Sequence, residues 1–227
     1  MSTPILTVLM PCLNEEKSLA FCIEEAKKST EALGIHAEIL IADNGSTDRS
    51  CRIADNCGAR TVHVMERGYG AALRGGIRAA SGKYIVMGDC DGSYDFSHIP
   101  SFLDKLDAGY ALVVGNRFAG GIEKGAMSFS HRIGVPFLSA LARRRFRAPV
   151  GDFHCGLRGF DREAALALDL QCDGMEFATE IIARFAESGA RICEIPTVLR
   201  KDRRGSRSHL RTVRDGLRHL KFIVFNK

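Results

Sequence analysis

Residues 84–91 read Tyr84-Ile85-Val86-Met87-Gly88-Asp89-Cys90-Asp91. The first five form an apolar run without polar alternation, the pattern of a strand buried on both faces, and Gly92 follows the second aspartate. Alone, an Asp-x-Asp sequence is a common surface turn. Where a strand gives out, two carboxylates two residues apart leave the sheet together. Two hard oxygen donors so placed suit Mg²⁺ or Mn²⁺, which phosphate oxygens and waters complete.

The same pattern recurs on the N-terminal side. Leu6 to Pro11 reads as a strand, and Asn14 offers a helix N-cap with Glu15 and Glu16 in the first turn. Leu19, Cys22, Ile23 and Ala26 then share one helical face, and Gly34 ends the helix. Glu38 to Ala42 is a second strand, Asp43-Asn44-Gly45-Ser46 a turn, Thr47 to Cys57 a helix with Ser46 or Asp48 as its cap, Ala59 to Val64 a third strand and Gly70 to Ala80 a helix. Beyond the central stretch come a helix (His98 to Asp107), a strand (Ala111 to Gly115), a helical stretch (Ser128 to Phe146), the loop Gly151 to Cys155 and a helix (Glu176 to Glu187). Such alternation predicts a single α/β domain with a mostly parallel, Rossmann-like sheet covered on both faces. Ligands bind such sheets at the carboxyl ends of the strands. Polar clusters stand at each end: Cys12 to Glu15, Asp43 to Ser46, Glu66 to Gly70 and Asp89 to Asp91.

The composition is that of a globular protein. The chain has 227 residues, a formal charge of +5, 45% apolar and 26% charged residues, which excludes disorder, collagen-like repetition and a disulfide miniprotein. Its eight cysteines form no C-x-x-C pair and read as free thiols of a reducing cytosol rather than a zinc site or a disulfide framework. No signal peptide is visible, and no apolar run approaches the ~20 residues that span a bilayer. Gly68-Tyr69-Gly70 hints at a dinucleotide fingerprint, but Pro11-Cys12-Leu13-Asn14 stands where its glycines belong. A nicotinamide oxidoreductase is therefore disfavoured.

Charge is uneven. Between Arg200 and Lys221 nine Lys or Arg face only Asp202 and Asp215, leaving a slightly acidic remainder. Leu210, Val213, Leu217, Leu220 and Val224 recur there at helical spacing among Arg211, Arg214, Arg218 and Lys221, and Phe222 to Phe225 follows. This reads as a basic amphipathic helix on an anionic membrane surface or, more plainly, as a helix packed on its own domain. Nucleic acid is a weaker partner, since no aromatics are interleaved with the basic residues.

Val8 to Glu16, Ala42-Asp43-Asn44-Gly45-Ser46-Thr47-Asp48, Gly68-Tyr69-Gly70 and Asp89-Cys90-Asp91 together resemble glycosyltransferase family 2 in motif, order and spacing. Gly115-Asn116-Arg117, His154 to Phe160 and Arg203-Arg204-Gly205-Ser206-Arg207-Ser208 resemble its branch of polyprenyl-phosphate sugar synthases, such as dolichyl-phosphate mannose and glucose synthases. The resemblance implies a GT-A domain over residues 1–208 with a membrane-proximal helix at 209–227. It also implies an inverting, metal-dependent transfer of a hexose from a GDP-mannose or UDP-glucose type donor to a polyprenyl phosphate. The expected location is the cytoplasmic face of a membrane, on which the protein is peripheral; relatives often continue into transmembrane helices, and no oligomeric state is implied.

By position, the resemblance assigns Pro11, Asn14, Glu15, Asp43, Gly45, Gly70 and Asp89 to the nucleotide sugar, with Asp43 at the base. Asp89 and Asp91 fall to the metal, and Arg117, Arg132, Arg158 and Arg203 or Arg204 to the acceptor phosphate. The late pattern departs from the family's at Gly205 to His209. Catalysis is expected to rest on Asp91, Arg117 and, where a base is needed, Asp152 or His154. A lipid phosphate is already anionic and needs placement by arginines more than deprotonation, whereas a glycan hydroxyl would need the base. Two rivals thus stand beside the lipid-phosphate reading: a family 2 transferase to a hydroxyl using Asp152, and a non-catalytic protein that binds nucleotide sugar or anionic lipid. Glu176 and Glu180, one helical turn apart, read as a solvated or structural face.

Overall fold

The computed structural model describes residues 4–205 and 212–225. A seven-stranded sheet organises the chain, with strands in the order β3-β2-β1-β4-β6-β5-β7. These are β1 (Leu6–Cys12), β2 (Ala37–Asp43), β3 (Arg60–His63), β4 (Tyr84–Met87), β5 (Leu112–Asn116), β6 (Arg158–Asp161) and β7 (Ile192–Pro196). Every neighbouring pair is parallel except those of β6, which runs antiparallel to both β4 and β5.

The helices are α1 (Leu19–Ala32), α2 (Ser50–Asn56), α3 (Tyr69–Ala79), α4 (Ile99–Asp107), α5 (Arg117–Gly120), α6 (Phe129–Phe146), α7 (Arg162–Leu166), α8 (Phe177–Glu187) and α9 (Thr212–Phe225). The chain moves outward through β1, β2 and β3 and returns to β4. Right-handed crossovers therefore place α3 on the face opposite α1 and α2. In keeping with this, α1 packs with α2 and α4, while α3 packs with α7 and α8.

The apolar runs became the central strands because both faces needed covering. Leu6, Val8, Leu9 and Met10 of β1 and all of β4 are buried. Cys12 pairs in register with Asp43, so the loops after β1 and β2 leave the sheet side by side. Register between β1 and β4 brings the Asp89–Asp91 turn to the same edge.

Two local expectations are corrected, and two strands are added to those the sequence predicts. Asn14 caps no helix: it is left-handed (φ 57°), and α1 begins only at Leu19. Its Oδ1 instead accepts from the N–H groups of Thr47 (2.7 Å) and Asp48 (3.3 Å), across the gap between the first two loops. Glu15 and Glu16 accordingly lie outside the first turn of α1, where Glu16 pairs with Arg49. Finally, β6 and β7 carry no sequence signal that marks them as strands. At the start of α2, Asp48 accepts from the Ser50 N–H at 2.8 Å.

The basic segment is helical from Thr212 to Phe225 and packs against α6 and α8. His219, Phe222 and Ile223 are buried in that contact, and Phe222 meets Phe146. Of the apolar stripe read from the sequence, Val213, Leu217 and Val224 face outward and Leu220 is half-buried. Ser206 to Arg211, including Arg207, Ser208, His209 and Leu210, lie outside the described residues.

Candidate active site

A cleft of about 590 Å³ opens at the carboxyl ends of β1, β2 and β4. Pro11, Glu15, Asp89 and Asp91 line it, with Arg204 on one side and Gly174, Met175, Arg214 and Arg218 on another. Asp43 and Asn44 shape its wall. The Asp43 carboxylate accepts from the N–H groups of Gly45 (3.2 Å) and Ser46 (3.0 Å) and lies 3.1 Å from His63 Nδ1. Burial would raise its pKa, but Ser46 and His63 hold it below the usual carboxylate value. Asp43 therefore stays ionised.

Asn44 uses its whole side chain as a staple. Its amide donates to Val64 O (3.1 Å) and Glu66 O (2.7 Å), and its Oδ1 accepts from Gly68 N–H (2.8 Å), fixing the loops after β2 and β3 to each other. Gly45 turns with φ 90°, and a Cβ there would collide with the Arg67 guanidinium. Gly70, at the start of α3, lets that helix approach the Cys172 carbonyl where a side chain could not fit. Asn14, Asp43, Gly45 and Gly70 thus build the cleft without lining it, whereas Pro11, Glu15 and Asp89 line it directly.

Three carboxylates meet at the cleft floor. Asp89 is ringed by protein yet keeps part of its surface open, and its Oδ1 accepts from Tyr69 Oη at 3.0 Å. Desolvation, and then the negative charge of Asp91, raise its pKa to about 6. Asp91 accepts from Ser93 N–H (2.9 Å) through one oxygen and from Arg204 Nη2 (2.5 Å) through the other. Glu15, only 5% exposed, is pushed by burial to about 7, although Arg204 Nε stands 3.1 Å from its Oε1 and opposes the shift. That Nε lacks an aligned hydrogen bond, so the Glu15 contact is one of charge. Burial is the first cause of both shifts and the charge of Asp91 adds to them; three hard-oxygen side chains gathered at one strand-end floor fit a divalent cation.

Other expectations are corrected at the basic residues. Arg158 offers nothing to an acceptor: it is fully buried, and its guanidinium donates to the carbonyls of Cys155, Ala178 and Phe153, each at 2.8 Å. Arg117 and Asp152, expected in rival roles, are partners, with Nε to Oδ2 at 2.7 Å and Nη2 to Oδ1 at 2.8 Å. Arg132 is exposed on α6 away from the cleft lining, and Arg203 stacks on Phe21 at 3.8 Å. Of the arginines expected at the acceptor, Arg204 alone lines the cleft, and there it sits on the carboxylates of Glu15 and Asp91.

His154 is held by Ser139 and stacks edge-on against His219 at 4.4 Å. Burial, and then His219, push its pKa far down. Glu180 is structural, accepting from the N–H groups of Gln171 (2.8 Å) and Cys172 (2.9 Å). Glu176 pairs with Arg218 at 2.7 Å. Sequence reasoning missed Asn44, Tyr69 and the cleft-lining Arg214 and Arg218. Tyr69 had a signal, since it lies between the two glycines of a strand-end loop.

Sheet order, the antiparallel β6 and the strand-end carboxylates define a GT-A domain. The chain belongs to glycosyl transferase family 2, whose family model matches residues 7–168. It is 37% identical over 225 residues to the low-salt glycan biosynthesis hexosyltransferase Agl6 of Haloferax volcanii, a match covering 98% of this chain and 54% of that protein. The chain thus spans about half the length of that relative. It is 32% identical over 197 residues to the dolichyl-phosphate hexose transferase of the same organism, covering 86% of this chain and 83% of that one. Among solved structures, glucosyl-3-phosphoglycerate synthase from Mycobacterium tuberculosis, in complex with Mn²⁺, uridine diphosphate and phosphoglyceric acid, superposes with a TM-score of 0.75 at 24% identity. That match covers 97% of this chain and 78% of the other, and it bears on the fold.

Proposed function

We propose that the cleft binds a nucleotide-diphosphate hexose with Mg²⁺ or Mn²⁺ at Asp89 and Asp91, and that the hexose passes with inversion to a polyprenyl phosphate at an anionic membrane surface. The observation that carries this reading is the meeting of Asp89, Asp91 and Glu15 with Arg204 at the floor of one strand-end cleft. When bound, a divalent cation supplies charge for the diphosphate leaving group. The chain itself does the rest. Asp43 stays ionised beside the base pocket, Tyr69 orients Asp89, and Arg214 and Arg218 add positive charge to the far wall.

Two observations favour a phosphate acceptor over a hydroxyl. The carboxylate expected to serve as base, Asp152, is fully buried, lies outside the cleft lining and is tied at both oxygens to Arg117, so taking up a proton would break a buried ion pair. A relative named as a dolichyl-phosphate hexose transferase aligns over most of its length.

Membrane association draws on two touching helices. Phe129 (79% exposed), Ile133 and Phe137 lie four residues apart on α6, and Val213, Leu217, Val224 and Phe225 stand out from α9. Apolar side chains this exposed, beside Arg143-Arg144-Arg145 and Lys221, suit the interface of an anionic bilayer. None of the described helices is long and apolar enough to cross a membrane. In this reading the protein acts at the cytoplasmic face of a membrane, which these two helices touch.

The test is transfer from labelled UDP-glucose and GDP-mannose, with Mn²⁺ or Mg²⁺, to a short polyprenyl phosphate or to a glycan. A labelled lipid product that mild acid cleaves is expected. Transfer to the glycan alone would replace this reading with its hydroxyl rival.

A further inference from the structure

Each oxygen of Asp91 already holds a protein partner. Its Oδ1 accepts from the Ser93 N–H at 2.9 Å, and its Oδ2 is held by Arg204 Nη2 at 2.5 Å. The same guanidinium faces Glu15, so one cation serves two of the three carboxylates at the cleft floor. A metal ion at Asp91 would share Oδ2 with the guanidinium, so each cation weakens the other's hold on that oxygen.

The backbone carrying Arg204 is fastened in a way that leaves movement to the side chain. Arg200 holds Glu25 through both terminal nitrogens and donates from Nη2 to Tyr94 O at 3.0 Å. Its N–H donates to Ser93 O at 2.8 Å, and the Arg203 N–H donates to Asp91 O at 2.7 Å. The Arg203 guanidinium lies on the Phe21 ring. Residues 200–204 therefore form a strap laced to the Asp89–Asp91 turn and to α1, with Arg204 at the end that overhangs the cleft.

We propose that Arg204 is a tethered counter-cation of the donor site: it neutralises Asp91 and Glu15 in the empty enzyme, competes with the divalent cation for Asp91, and on displacement turns its charge to the incoming diphosphate. This rests on the reading of Asp89 and Asp91 as the metal site. The arrangement keeps three clustered carboxylates from repelling one another before the donor arrives. It also makes metal binding weak until a diphosphate offers the guanidinium a new partner, so that cation and nucleotide bind cooperatively.

Binding of Mn²⁺ to the nucleotide-free chain, followed by the electron paramagnetic resonance of the free ion, tests the proposal. Arg204→Gln should bind Mn²⁺ about tenfold or more tightly than wild type, because a charged hydrogen bond no longer competes for Oδ2. Arg204→Lys, which keeps the charge, should stay close to wild type, and Asp91→Asn should lose the site. With Mn²⁺ saturating, Arg204→Gln should bind uridine or guanosine diphosphate more weakly than wild type. Arg204→Ala gives the same signs if the glutamine variant folds poorly. Equal or weaker Mn²⁺ binding by Arg204→Gln, with the site still lost in Asp91→Asn, overturns the role of Arg204 and leaves the metal site standing. Mn²⁺ binding that is absent throughout, or indifferent to Asp91, overturns both.

Discussion

Arg117 and Asp152 form a buried two-point ion pair that joins the end of β5 to the loop before β6. Two parallel bonds of 2.7 and 2.8 Å link the side chains, and the Arg117 N–H also donates to Asp152 at 3.2 Å. Glu194 of β7 accepts from the N–H groups of Gly151 and Asp152, which fixes the loop on its other side. Burial opposes the charge of Arg117, yet Tyr94 and Asp152 together raise its pKa. The Asp152 carboxylate offsets the charge of Arg117, so the pair as a whole offers little net field to a nearby phosphate and serves to hold the loop.

Losing either partner should therefore cost stability before it reports on catalysis. Arg117→Ala and Asp152→Asn are each expected to lower the unfolding free energy by about 3–5 kcal/mol, the usual cost of stranding a buried charge or breaking its pair. Urea unfolding of both single variants and of Arg117→Met/Asp152→Leu checks this. The double variant should recover much of the loss, because no charge is left unpaired. Single variants as stable as wild type would show that the pair carries no structural weight.

Asp91→Asn should behave differently. The change is nearly isosteric, keeps an oxygen for the Ser93 N–H and removes one charge from the cleft floor. The fold is expected to persist while metal-dependent transfer falls on the order of a hundredfold or more, given the several kcal/mol that a metal contributes to stabilising charge. Circular dichroism together with initial rates at saturating donor decides it. Undiminished transfer would remove Asp91 from the chemistry.

The pH dependence of stability has two opposing parts. Burial lowers the pKa of His219 to about 4 from 6.5. Between those values the unfolded chain binds a proton that the folded one refuses, so this stability is complete above pH 6.5 and is lost as pH falls through 4. A shift of that size amounts to about 3 kcal/mol. Glu15, raised to about 7, and Asp89, raised to about 6, act in the reverse sense, their folded forms gaining protons as pH falls. The whole-protein curve therefore blends both signs, and the histidine must be isolated by difference. Relative to His219→Gln, wild type should lose about 3 kcal/mol of stability between pH 7 and pH 4. The other groups around this ring are Thr179 (2.8 Å), His154, Arg158, Arg218 and Asp215. A difference that does not change with pH would mean that His219 titrates as if exposed.

The sequence made some of this legible and concealed the rest for identifiable reasons. β1, β2 and β4 could be read because continuous apolar runs ending in polar turns have few other uses. β6 could not: Arg158-Gly159-Phe160-Asp161 holds two charges and a glycine, and it is a strand because β4 and β5 leave a gap that its backbone fills. Its arginine was read as a phosphate ligand, since nothing local shows that three carbonyls use its donors. Asn14 looked like a cap because Asn before Glu-Glu usually is one, but its side chain found N–H groups 33 and 34 residues away. Arg204 meets Asp91 across 113 residues, a distance over which periodicity carries no information.

The outward faces of α6 and α9 give the last prediction. Phe137 and Leu217 are 61% and 60% exposed, and neither lines the cleft. If these helices sit at a bilayer surface, each side chain buries most of its apolar area there, worth about 1.5–3 kcal/mol. Phe137→Glu and Leu217→Glu should then each weaken binding to anionic vesicles by about tenfold or more, since the glutamate also repels the surface. Donor binding should be unchanged in both, because the substitutions leave the carboxylates and Arg204 untouched. Raising salt should weaken vesicle binding of wild type further, as the Debye length shrinks around its basic residues. Co-sedimentation with vesicles containing anionic lipid, run beside a nucleotide thermal-shift assay, separates the two effects. Vesicle binding that survives both substitutions would show that these faces meet something other than lipid.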